Sequence, residues 1–234
     1  MNRLTVTIPA DNSAMAMHTA WPMSDVPFPA IVVIMHASGV DTFVQTMVAR
    51  LVDAGYFVAA PDLYHRLDPR QGGMMDKLKQ LRDHEVIPDV NAAVEYLRGH
   101  PLVDSARLGI IGFCMGGRVA YLMAELNPYL RAVVAYYGGN TMIPWGEGPS
   151  PFSLSDKLHC PLLFHFGADD TNPSPDDMAT LDQELTRLGK EHQFHAYEGA
   201  GHAFMNFDNP ARYRETAANT SWPCTLEFLS QQLG

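Results

Sequence analysis

The sequence predicts an α/β fold, a mostly parallel sheet with helices on both faces. Three observations predict it. From residue 31 onward, short β-rich apolar runs alternate with longer stretches of helical period. A glycine-rich turn at 112–117 joins an apolar strand directly to a helix. Candidate reactive residues fall just after successive strands, where a parallel sheet gathers them at one edge.

Taken in order, Leu4 to Ala20 alternates like an antiparallel edge hairpin, and Ile31 to Met35 is the first strand of the parallel type. Asp41 can cap a helix carrying Phe43, Met47, Val48 and Leu51, and Gly55 stands where a left-handed terminating residue belongs. Phe57 to Ala60 is the next strand. Pro61 and Asp62 open a polar loop containing Gly72 and Gly73, and Pro88 is expected near the start of a helix with Val90, Val94 and Leu97. Leu108 to Ile111 is a strand, a helix follows from about Met115, and Ala132 to Tyr136 is a further strand. After a Gly- and Pro-rich loop come a strand at Leu162 to Phe166, a helix with Met178, Leu181, Leu185 and Leu188, a strand at Gln193 to Tyr197, and a C-terminal helical segment ending at Leu233. No internal repeat, low-complexity tract or long linker interrupts the series, so one domain over 1–234 is expected.

Composition narrows the function classes. The chain has 47% apolar and 18% charged residues, and its formal net charge of -10 disfavours a phosphate backbone, so no nucleic-acid partner is expected. No apolar run approaches the roughly 18 to 20 residues that cross a bilayer, so no membrane association is expected. Met1 to Ala10 lacks the apolar run of a signal peptide. Three widely spaced cysteines, Cys114, Cys160 and Cys224, suit a reducing cytoplasm better than a disulfide framework. A monomer or weak dimer is expected.

The most informative segment is Gly112-Phe113-Cys114-Met115-Gly116-Gly117. A residue on so sharp a strand-to-helix turn has strained dihedrals, and its small neighbours avoid collisions with adjacent backbone. The turn puts the Cys114 sulfur at a helix N-terminus, where N–H groups and the dipole favour a thiolate and then an oxyanion, with the Met115 N–H as one donor. Taken alone, a cysteine in apolar surroundings reads as a packing residue; the surrounding glycines weigh against that. Cys160 and Cys224 lack such a turn and are read as structural.

A thiol needs a base, and His202 lies in Gly199-Ala200-Gly201-His202 after the last strand. The orienting acid should follow Phe166, where Asp169 and Asp170 compete and spacing does not choose between them. A metal site at His192 and His195, with His165 and His202 as further ligands, is disfavoured, because strand residues three apart, as His192 and His195 are, face opposite sides. No metal or organic cofactor is expected. The rival from another class is a non-catalytic scaffold that binds a ligand or partner.

With these residues assembled, the chain resembles the dienelactone hydrolase family from about Ala30 to Leu233. The resemblance is carried by the 112–117 turn, Ala-Pro-Asp-Leu-Tyr at 60–64, Tyr-Tyr-Gly-Gly at 136–139 and Gly-Ala-Gly-His-Ala-Phe at 199–204. It implies an α/β-hydrolase fold and cleavage of a small-molecule ester or lactone by a cysteine nucleophile through an acyl-enzyme. It implies Asp170 as the acid, three residues after the strand-ending glycine, and the Ala37 N–H as second oxyanion donor. Two departures bear on specificity: His36 stands where the family has a glutamate, and Asn206 where it has a substrate-binding arginine. Phe113, Tyr137, His36, Asn206 and Arg82 are the candidates for lining the pocket.

Overall fold

The computed structural model describes residues 1–24, 26–68, 70 and 72–234. The N-terminal alternation folds as a hairpin of β1 (Asn2–Ala10) and β2 (Ser13–Trp21), closed by a turn in which Asp11 has a φ of +51°. The remaining strands are β3 (Phe28–Ile34), β4 (Phe57–Pro61), β5 (Val103–Phe113), β6 (Leu130–Tyr136), β7 (Leu162–Gly167) and β8 (His192–Tyr197). They build an eight-stranded sheet in the order β1-β2-β4-β3-β5-β6-β7-β8, parallel from β4 through β8, with the hairpin added antiparallel at one edge.

The helices are α1 (Thr42–Asp53), α2 (Met74–Leu78), α3 (Asp83–Gly99), α4 (Met115–Leu126), α5 (Pro175–Arg187) and α6 (Glu215–Leu233), with a 3-10 turn at Phe152–Lys157. Sheet order fixes their sides. The step from β3 to β4 runs one way along the sheet, whereas the steps from β4 to β5, β5 to β6 and β7 to β8 run the other way. Right-handed crossovers therefore put α1 on one face and α3, α4 and α5 on the other. On the α1 face α6 packs too, its Trp222 ring 4.4 Å from the Arg50 guanidinium. Central strands are buried on both faces, so Ile31, Val33, Ile110, Val133, Val134 and Leu163 are all fully enclosed, which explains their continuous apolar runs.

Helix boundaries follow local chemistry in some places and tertiary contacts in others. Asp41 caps α1 by accepting the Val44 N–H at 3.2 Å, and Gly55 past its end has a φ of +99°. Helix α3 begins at Asp83, so Pro88 lies inside it rather than near its start. Buried Asp83 receives both ends of the Arg118 guanidinium, at 2.7 and 2.9 Å, and also accepts the Trp145 N–H at 2.8 Å. Arg118, wholly enclosed on α4, also donates to the carbonyls of Asn140 and Ile143 and lies 4.1 Å from the Trp145 ring. This pair pins the 140–145 loop to the two helices. His65 and Arg66 join buried Asp89 in a second cluster that ties the loop after β4 to α3. Among the described residues, no helix is long and apolar enough to cross a membrane.

Candidate active site

The carboxyl ends of the central strands are level. Ile34 pairs with Gly112, Phe113 with Tyr136, Tyr136 with His165, and Gly167 with Tyr197. Loops leaving β3, β5, β6, β7 and β8 therefore start side by side, although they are far apart in sequence.

Cys114 sits between β5 and α4 with a φ of +58°, a conformation that costs a non-glycine residue about 1 to 3 kcal/mol and persists only when its surroundings enforce it. Two glycines permit the turn. A Cβ on Gly112 would stand 1.8 Å from the Gly116 carbonyl oxygen, and one on Gly116 would stand 2.5 Å from that of Ile34. The turn is thereby wedged against β3, bringing Cys114 beside the Ala37 segment.

The structure brings Cys114, His202 and Asp170 together. His202 Nε2 lies 3.0 Å from Cys114 Sγ, and His202 Nδ1 donates to Asp170 Oδ2 at 3.0 Å. Asp170 is buried, and its other oxygen accepts the Asn172 N–H at 2.9 Å; Asp169 is exposed. Burial alone would push the Cys114 thiol up, but the His202 imidazole and hydrogen bonds from the Met115 and Ala37 N–H groups outweigh it and hold the thiol below its ordinary value. Burial would likewise lower His202; Asp170 and the sulfur overcome it and push the imidazole up to about 10. Both shifts act in the direction of a thiolate beside an imidazolium. Cys160 behaves oppositely, raised by burial to about 12, and burial also raises Cys224.

Both candidate oxyanion donors face the sulfur. The Ala37 segment is held from behind by Tyr64, whose hydroxyl donates to the Ala37 carbonyl at 3.0 Å. His36 lines the cavity with Nε2 donating to Asp41 Oδ2 at 2.8 Å, so the carboxylate that caps α1 also anchors this imidazole. Asp41 would be raised by its burial, yet the His36 contacts and the Val44 and Phe43 N–H groups bring it below the usual carboxylate value. Tyr137, at a φ of +40°, is buried with its ring edge-on to His202, centroids 5.3 Å apart. Asn206 also lines the cavity.

Two candidates lie elsewhere. The Phe113 side chain is fully buried, its ring 5.1 Å from both Phe43 and Tyr136, and it does not reach the cavity. Arg82 donates to the carbonyls of Lys79 and Leu81, at 2.8 and 2.9 Å, outside the lining. The lining of the cavity, about 390 Å³, includes the polar residues Asn140, Asn172, Asn206, Asn209 and Arg212 and the apolar residues Met74, Met75, Leu78 and Trp145. Of these the sequence had pointed to Asn206. Arg212 follows His202 by ten residues in an irregular loop and has no motif to announce it. None of the described lining residues is Asp or Glu, in a chain with 26 of them, and Arg212 is the one Lys or Arg among them.

Comparisons with known proteins identify the family and the fold. The profile of the dienelactone hydrolase family matches residues 15–233. A protein of Synechocystis sp. that carries the name carboxymethylenebutenolidase is 31% identical over 240 residues, covering 97% of this chain and 96% of its own. A Bradyrhizobium protein named as a 2-oxo-3-(5-oxofuran-2-ylidene)propanoate lactonase is 30% identical over 97% of this chain and 94% of its own. Among solved structures, a dienelactone hydrolase-named protein of Klebsiella pneumoniae superposes with a TM-score of 0.90 at 30% identity, over 98% of both chains. A dienelactone hydrolase-like promiscuous phosphotriesterase from metagenomic libraries gives 0.86 at 22% identity, over 100% of this chain and 99% of its own, which speaks to the fold alone. The sheet, the tight turn and these matches together place the chain in the dienelactone hydrolase family, with an α/β-hydrolase fold.

Proposed function

We propose that the protein hydrolyses carboxylic esters or lactones through Cys114, His202 and Asp170. The observation that carries this is the unbroken relay from sulfur to imidazole to buried carboxylate, each step 3.0 Å long. The thiolate attacks the ester carbonyl, and the oxygen that gains the charge takes the N–H groups of Ala37 and Met115, which hold the sulfur at rest. Such donors are worth about 2.7 to 4 kcal/mol each in transition-state stabilisation. As the tetrahedral adduct collapses, the C–O bond breaks and the His202 imidazolium gives its proton to the leaving alkoxide, leaving a thioester on Cys114. His202, now neutral, removes a proton from water as it attacks that thioester. The carboxylic acid departs, and the sulfur returns to its thiolate beside protonated His202. Asp170 fixes the ring orientation and its Nδ1–H tautomer throughout.

The test is a panel of lactones and short esters given to the purified protein and to Cys114→Ala. Hydrolysis by the first and none by the second is expected. Equal rates of hydrolysis by both would remove Cys114 from the chemistry, whereas alkylation of all three cysteines by iodoacetamide at one common rate with no hydrolysis by either protein would favour a binding scaffold.

A further inference from the structure

Helix α2 places two of the chain's exposed large apolar residues side by side on one short element. It is five residues long and contributes no buried side chain, yet it carries Met74, Met75 and Leu78. Met74 and Met75 are 48% and 51% exposed, and both face the Cys114 cavity together with Leu78. Exposed apolar groups gathered on one wall of a concave site differ from singly scattered ones, because a bound group can cover them all at once.

The surroundings support a hydrocarbon occupant. Trp145, on the same lining, has its ring against the Arg118 guanidinium and its backbone N–H on the Asp83 carboxylate. Methionine side chains are unbranched and polarisable, and adapt to differently shaped apolar partners. The wall is also coupled to the chemistry: the Ser38 hydroxyl donates to Met74 Sδ at 3.3 Å, and Ser38 adjoins Ala37. Asn140, Asn172, Asn206, Asn209 and Arg212 contribute the polar groups of the same lining, so Met74, Met75, Leu78 and Trp145 supply most of its large apolar surface.

We infer that Met74, Met75, Leu78 and Trp145 form a subsite for an alkyl or aryl group of the substrate, and that the substrate class is esters or lactones bearing such a group. This rests on the hydrolytic reading above. At 390 Å³ the cavity is near the small end of ligand pockets, which suits a short chain or one ring.

The experiment measures kcat/KM for two series, p-nitrophenyl acetate, butyrate and hexanoate, and methyl, butyl and hexyl acetate, each normalised to its alkaline hydrolysis rate. Covering the wall should raise kcat/KM by about two- to fourfold per added methylene in at least one series. In Met74→Ser/Met75→Ser/Leu78→Ser, checked for folding by thermal melt, that dependence on chain length should largely vanish; if the triple variant does not fold, Met75→Ser alone should weaken it. No hydrolysis of any ester would overturn the hydrolytic reading. Hydrolysis with flat or falling dependence in both series, or a dependence that survives in the folded variant, would overturn the subsite alone.

Discussion

Replacing Asp170 with Asn tests how much of the thiolate at Cys114 depends on a carboxylate that never touches it. Asn is nearly isosteric and its Oδ1 can still accept the Asn172 N–H, so the loop after β7 should keep its course. What disappears is the buried negative charge 3.0 Å from His202 Nδ1. A hydrogen bond to a charged partner contributes about 1.5 to 3 kcal/mol, which lowers the thiolate–imidazolium population roughly 10- to 160-fold and moves the thiolate midpoint up by about 1 to 2 pH units. Turnover should fall further. An Asn amide can donate to Nδ1, leaving the proton on Nε2 and no acceptor for the thiol; in serine triads that exchange costs about 10⁴ in kcat. The assay is the pH dependence of iodoacetamide alkylation at Cys114, with kcat/KM on p-nitrophenyl acetate measured beside it. A midpoint and a rate both matching the unaltered protein would refute the reasoning.

Other perturbations probe separate parts of the account. Tyr64→Phe removes the donor to the Ala37 carbonyl while keeping the ring, and kcat should drop about tenfold with a smaller change in KM, because the donor loses alignment where charge develops. Arg118→Met strands the Asp83 carboxylate in the interior, at a cost of about 3 to 5 kcal/mol, and differential scanning fluorimetry should show a melting temperature lower by about 10 °C. Glu125 is buried, and burial outweighs the lowering effect of the Tyr121 hydroxyl and pushes it up to about 9. Its folded value lies above its unfolded one near 4.5, so the folded state holds the proton more tightly. Its contribution to stability is complete at low pH and is lost as pH rises through that window. Urea titrations should therefore show Glu125→Gln gaining on the parent between about pH 5 and 9, with no gain at pH 4.

Much of this architecture was legible in the sequence because its signals are local. Strands buried on both faces leave unbroken apolar runs, a capping Asp41 and the glycine at 55 bracket α1, and the turn at 112–117 can only be made with glycine where Gly112 and Gly116 meet backbone. Asp170 and Asp169 were indistinguishable by spacing; burial and a direct contact with His202 separate them. Contacts across the chain left no such mark. The start of α3 at Asp83 is fixed by Arg118, 35 residues away, which is why Pro88 misled. Helix α2 has too few residues for a period and buries none of them. Phe113 points into the aromatic cluster under the sheet edge rather than into the cavity, and Arg212 reaches the cavity only through the path of an irregular loop.

The most direct measurement is to quench the protein during turnover of a p-nitrophenyl ester, digest it and weigh the peptide containing Cys114. One acyl group on that cysteine, absent from Cys114→Ala and accumulating in Asp170→Asn if deacylation is slowed more than acylation, is the result expected. Steady hydrolysis with the Cys114 peptide unmodified at every quench time, and with the same rate after Cys114→Ala, would contradict a thiolate mechanism.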